Sequence, residues 1–134
     1  MMEETVKSKK IRILLIDDEK DFGFFVKLNL EKTGRFEVTT TTSGSKGLIL
    51  ASKDRPDLIL LDIIMPELGG GHVAEQLLEN PATADIPVLF ITAIASRTQV
   101  QSQLGKIGGR SFIAKPVTPE ELMAKIDRLF ARKK

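Results

Sequence analysis

Three short, unbroken apolar runs constrain this chain more than any other feature. Ile11–Ile16 is apolar apart from Arg12, and residues 58–61 (LILL) and 88–91 (VLFI) contain no polar residue at all. Runs of four to six residues suit strands covered on both faces, as in a parallel sheet, better than half-exposed strands with alternating polarity. Phe36–Thr41, rich in β-branched residues, predicts a strand nearer an edge, and residues 111–114 a short fifth.

Segments with helical spacing separate these runs. Phe22, Phe25, Val26 and Leu30 form one apolar stripe, as do Leu122, Ile126, Leu129 and Phe130. Residues 44–53 and 71–80 predict the second and third helices, stopped before Pro56 and Pro81. Residues 97–105, polar except for Val100 and Leu104, predict a weak fourth helix. Thr118, Pro119 and Glu121 have the order of a capping box and predict where the fifth begins. Strand then helix, five times over, predicts an α/β fold: a doubly wound five-stranded parallel sheet with five helices, the (βα)5 flavodoxin-like arrangement. In such sheets ligands bind beyond the carboxyl ends of the strands.

Composition adds bounds. The length of 134 residues is that of about one domain. There is no cysteine, no apolar run long enough to cross a bilayer and no signal-like apolar core near the start, so the simplest reading is cytoplasmic, with no membrane contact. Residues 1–12 carry four Lys/Arg against two Glu and residues 125–134 five against one Asp, together +6, so the net +2 leaves −4 for residues 13–124. The basic ends lack interleaved aromatics and read as solvated tails, not as a surface for direct nucleic-acid binding.

Chemistry-bearing residues stand where the strands end. Asp17-Asp18 follow the first strand, Asp62 ends the third, Thr92 ends the fourth, and Lys115 follows the fifth. Carboxylates gathered at one edge repel unless a cation intervenes, and a hard divalent ion with oxygen ligands, Mg2+ or Mn2+, answers that need. With no cysteine, and with the one histidine, His72, away from the strand ends, a zinc site is not expected. His72 reads as a first-turn helix residue, and Gly69-Gly70-Gly71 as a flexible turn, since no GxxxxGK motif follows. An acidic nucleophile beside a hydroxyl and an ammonium suits phosphoryl transfer onto a carboxylate.

At these residues the chain resembles a response-regulator receiver domain, over about residues 10–132. Asp17-Asp18, Asp62 followed by Met65-Pro66, Thr92-Ala93 and Lys115-Pro116 carry the resemblance, with 44 residues from Asp18 to Asp62 and 30 from Asp62 to Thr92. The resemblance implies that Asp62 accepts a phosphoryl group from a histidine kinase or a histidine phosphotransfer protein. It implies that Asp18, Asp62 and the backbone carbonyl of Ile64 hold the metal, with Asp17 contributing through water, and that Thr92 and Lys115 grip the phosphoryl oxygens. It implies a cis bond before Pro116. Phe112 would turn inward as Thr92 moves, remodelling the surface of the fourth helix, fifth strand and fifth helix for an output partner; core packing is the plainer role for that ring. Ile64 and Ile94 border the site and cannot orient a water by hydrogen bonding, so slow self-hydrolysis is expected. Gly69 stands where the family often carries Asp or Asn, which puts partner contacts there in doubt.

The domain expectation is a flexible tail over residues 1–10 and a receiver over 11–132, monomeric or weakly dimeric, with no effector domain in this sequence; it is a signalling switch rather than an enzyme. Alternatives stay open. A magnesium-dependent phosphatase would usually carry a second Asp two residues after the nucleophile, where Ile64 stands, and a flavodoxin would want Trp or Tyr, which the chain lacks. A docking module that is never phosphorylated, or a receiver fragment of a larger regulator or hybrid kinase, fits the same sequence.

Overall fold

A computed structural model describes residues 9–63, 69–93 and 112–132. Five strands, β1 (Ile11–Ile16), β2 (Phe36–Thr41), β3 (Leu58–Asp62), β4 (Val88–Thr92) and β5 (Phe112–Ala114), form one parallel sheet in the order β2-β1-β3-β4-β5. The four helices among the described residues are α1 (Lys20–Glu31), α2 (Gly44–Asp54), α3 (Gly70–Glu79) and α4 (Pro119–Arg132). The expected fourth helix, over 97–105, lies outside the described residues, so α4 is the fifth in the expected order.

The apolar runs are unbroken because both sheet faces are covered. Leu14, Ile16, Ile59, Leu61 and Phe90 pack on one side with Ala51 of α2 and Val73 and Leu77 of α3. Ile13, Leu15, Leu58, Leu60, Leu89 and Ile91 pack on the other with Val26 and Leu30 of α1 and Leu122 and Ile126 of α4. Adjacent residues point to opposite faces, so a continuous run fills two cores at once. Each such side chain, removed from water, contributes about 1.5–3 kcal/mol before entropy is counted. At the sheet edge β2 is only half covered, and its exposed Glu37, Thr39 and Thr40 break the apolar pattern as an edge strand should.

Local signals place the helix ends. Ser43 caps α2 by accepting the Lys46 N–H at 3.1 Å, and Arg55 closes it in a left-handed conformation (φ 46°) just before Pro56. At α4 the capping box is complete: Thr118 Oγ1 accepts the Glu121 N–H at 3.0 Å, and Glu121 Oε1 accepts the Thr118 N–H at 2.9 Å. The glycine turn needs correction. Gly70 and Gly71 lie inside the first turn of α3, with Gly69 at its N-cap and the Val73 N–H bonded to the Gly69 carbonyl at 3.1 Å. Burial of Val73, Ala74 and Leu77 outweighs the poor helix propensity of two glycines.

Register carries the strand ends to one edge. Asp62 pairs with Ile91 and Thr92 with Ala114. The Asp17 N–H reaches the Thr41 carbonyl at 3.1 Å, and the Lys115 N–H reaches the Thr92 carbonyl at 2.7 Å.

Candidate functional site

The residue that ends β3, Asp62, is only 5% exposed, although its chain neighbours in the strand are wholly apolar. Asp17, one step beyond β1, is 2% exposed, whereas Asp18 faces solvent. One carboxylate oxygen from each of the three lies within 4.8 Å of the others. The structure therefore brings together the acidic set that the sequence placed at two separate strand ends.

Asp17 uses its two oxygens differently. Oδ1 accepts the Glu19 N–H at 2.8 Å, which fixes the entry into α1. Oδ2 is buried and lies 3.0 Å from Lys115 Nζ, an ion pair rather than an aligned hydrogen bond. Burial is the main influence on this carboxyl and pushes its pKa above the ordinary 3.8, against the opposing pull of the Glu19 N–H and of Lys115. A buried carboxylate oxygen with no aligned donor, beside two more carboxylates, is a donor set suited to a hard divalent cation.

Lys115 emerges from the end of β5 over this cluster. Its side chain is 12% exposed, with Nζ 2.5 Å from Glu19 Oε1 and 4.5 Å from the centre of the Phe22 ring. Desolvation, the largest influence, favours the neutral amine, but the bonds to Glu19 and Asp17 and the charge of Asp62 together raise the pKa above 10.5. The ammonium therefore stays charged. Thr92 is fully buried at the end of β4, and the bond between Lys115 and Pro116 is cis, as the resemblance implied. Beside Lys115 an open depression of about 560 Å³ is lined by Phe22, Phe25, Ala93, Pro116 and Val117.

Phe112 pairs in register with Phe90 and packs, half-buried, against the Leu14 and Phe90 side of the core. Ile64 and Ile94, expected to border the site, lie outside the described residues, as do Met65 and Pro66. His72 is exposed in the first turn of α3, its Nε2 2.8 Å from Gln76 Nε2. Sequence reasoning missed Glu19 and Phe22 as neighbours of Lys115. The acidic triplet Asp17-Asp18-Glu19 was a signal, but nothing local tied its third member to a lysine 96 residues away.

Comparison with known proteins agrees with this arrangement. The family model of the response regulator receiver domain matches residues 13–127. PilH of Pseudomonas aeruginosa is 35% identical over 121 residues, covering 90% of this chain and 98% of PilH. RpaA of Synechocystis, a DNA-binding dual master transcriptional regulator, is 37% identical over 123 residues, covering 90% of this chain and 49% of RpaA. The chain spans about half the length of RpaA and of several other curated relatives it matches. The solved structure of the chemotaxis protein CheY4 of Vibrio cholerae superposes with a TM-score of 0.81 at 27% identity, covering 90% of this chain and 98% of that one. With the family matched across both cores and all five strand ends, the chain belongs to the response-regulator receiver domains of two-component signalling.

Proposed function

We propose that Asp62 is the phosphoacceptor of this receiver, with a histidine kinase or a histidine phosphotransfer protein as donor. One observation carries the reading: Asp17, Asp18 and Asp62 converge within 4.8 Å at the edge where Lys115 emerges, nearly buried and charged. An Asp62 oxygen attacks the phosphorus, the new P–O bond forms as the P–N bond breaks, and the imidazole nitrogen departs with its electron pair. Asp17, Asp18 and Asp62, with the Ile64 carbonyl, would hold Mg2+ or Mn2+, which when bound supplies positive charge for the acceptor and the transferred oxygens. Lys115 and the Thr92 hydroxyl hold those oxygens, and Phe112 follows Thr92 inward. The altered surface around β5 and α4 engages an output protein. The same reading covers residues 11–132 as the working domain, in the cytoplasm, with slow hydrolysis governed by Ile64 and Ile94.

The test is intact-mass measurement after incubation with acetyl phosphate, with and without magnesium, beside Asp62→Asn. The expected result is one added phosphoryl group that needs both the metal and Asp62. No adduct, together with a fluoroberyllate titration that also fails, overturns the reading and leaves a docking module.

A further inference from the structure

Glu19 occupies the N-cap position of α1, yet its side chain makes no capping hydrogen bond. Ser, Thr, Asp and Asn are the usual residues there, because a short side chain reaches back to the first turn. Glu19 leaves that task undone. Its own N–H is taken by Asp17 Oδ1 at 2.8 Å, and its carboxylate turns instead across the sheet edge to Lys115 Nζ at 2.5 Å. The pair is lopsided: Glu19 is 61% exposed and Lys115 12%. Asp17 holds the ammonium from the buried side at 3.0 Å, and the Phe22 ring lies 4.5 Å from the nitrogen. Glu19 takes one of the ammonium's three donors in a hydrogen bond, while the Asp17 charge draws the nitrogen from the other side.

We infer that Glu19 is a positioning residue that holds Lys115 in the resting state and must surrender it before the ammonium can grip a phosphoryl oxygen on Asp62. The inference rests on the reading of Asp62 as phosphoacceptor. A carboxylate that competes with the phosphoryl oxygens for one ammonium weakens the phosphorylated state without touching the reacting atoms. Its influence is electrostatic and largely exposed, so salt should erode it.

The measurement is the Kd of fluoroberyllate at saturating magnesium for wild type, Glu19→Gln and Glu19→Asp, with the magnesium affinity of each determined separately. Glu19→Gln keeps the side-chain length and removes the charge, and it should tighten fluoroberyllate binding about 1.5- to 5-fold at low ionic strength, the range of an exposed ion pair. That ratio should shrink toward one near ~1 M salt, where the Debye length is about 3 Å. Glu19→Asp, charged but one methylene shorter, should fall between. A merely structural role at the helix start would change the melting temperature and give no salt-dependent ratio. If wild type binds and Glu19→Gln binds equally or more weakly at low salt, the role of Glu19 is overturned while that of Asp62 stands. If wild type gives neither fluoroberyllate binding nor a phosphoryl adduct, the Asp62 reading falls and takes this inference with it.

Discussion

Glu31, at the last position of α1, shows how one side chain ties a helix to a strand. Its Oε2 accepts the Val38 N–H of β2 at 2.9 Å and the Lys27 ammonium at 3.0 Å. The Val38 N–H is the main reason its carboxyl is held below the ordinary 4.5. An unfolded chain then binds more protons than the folded one between the two values. The stability that Glu31 contributes is complete above 4.5 and is lost as the pH falls through the lower, folded value. With 35% of the side chain exposed, screening limits the gain over Glu31→Gln to about 0.5 kcal/mol. Urea midpoints of the two proteins should differ at neutral pH and converge in acid; a constant difference would contradict the assignment. At this scale the sequence was informative where a residue's place is set by a strand end, as for Asp17, Asp62, Thr92 and Lys115. It was silent where two side chains meet only through the tertiary fold, as Glu19 and Lys115 do.

Among the elements, α2 sits against β1 by virtue of one missing methyl group. A Cβ on Gly47 would lie 2.5 Å from Ile16 Cδ1 and 2.7 Å from Cγ1, and Ile16 is fully buried. Gly47→Ala should gain about 1 kcal/mol of helix propensity and lose about 1–3 kcal/mol to overpacking. A net loss of stability is expected, read as a lower urea midpoint with an unchanged slope. Ile16→Val in the same chain should recover part of it; additivity of the two changes would show that they do not share this contact. Local codes such as the Thr118 and Glu121 box were legible because both partners lie three residues apart. The closeness of α2 and β1 was not, since Gly47 looks like any helix-weakening glycine until Ile16 is opposite it. Gly70 misled for the matching reason: propensity argued for a turn up to the helix expected from residue 71, and packing of Val73 and Leu77 drew it into the first turn.

For the whole molecule, strand count and sheet type were readable because double coverage writes itself into unbroken apolar runs. On the proposed reading of Asp17, Asp18 and Asp62 as metal ligands, the three converge only in the folded chain, so the cation would bind that state alone. A ligand that binds only the folded state stabilises it by about 2.7 kcal/mol at a hundred times its Kd. Magnesium should therefore raise Tm, and Asp18→Asn, which removes the exposed member of the set, should lose most of that increase. Equal increases in both proteins would place the stabilising ion elsewhere.

The direction of α4 has a consequence for any sequence joined to this fold. Asp127, in the second half of that helix, meets Arg35 at the amino-terminal edge of the sheet, where the Ile11 N–H also bonds to the Arg35 carbonyl. The first strand thus begins, and the last helix heads, on the side opposite the acidic edge. A helix of 14 residues is about 21 Å long. A neighbouring module attached at either end would be anchored about one helix length from the acidic edge, and the α4 surface would span the distance between them.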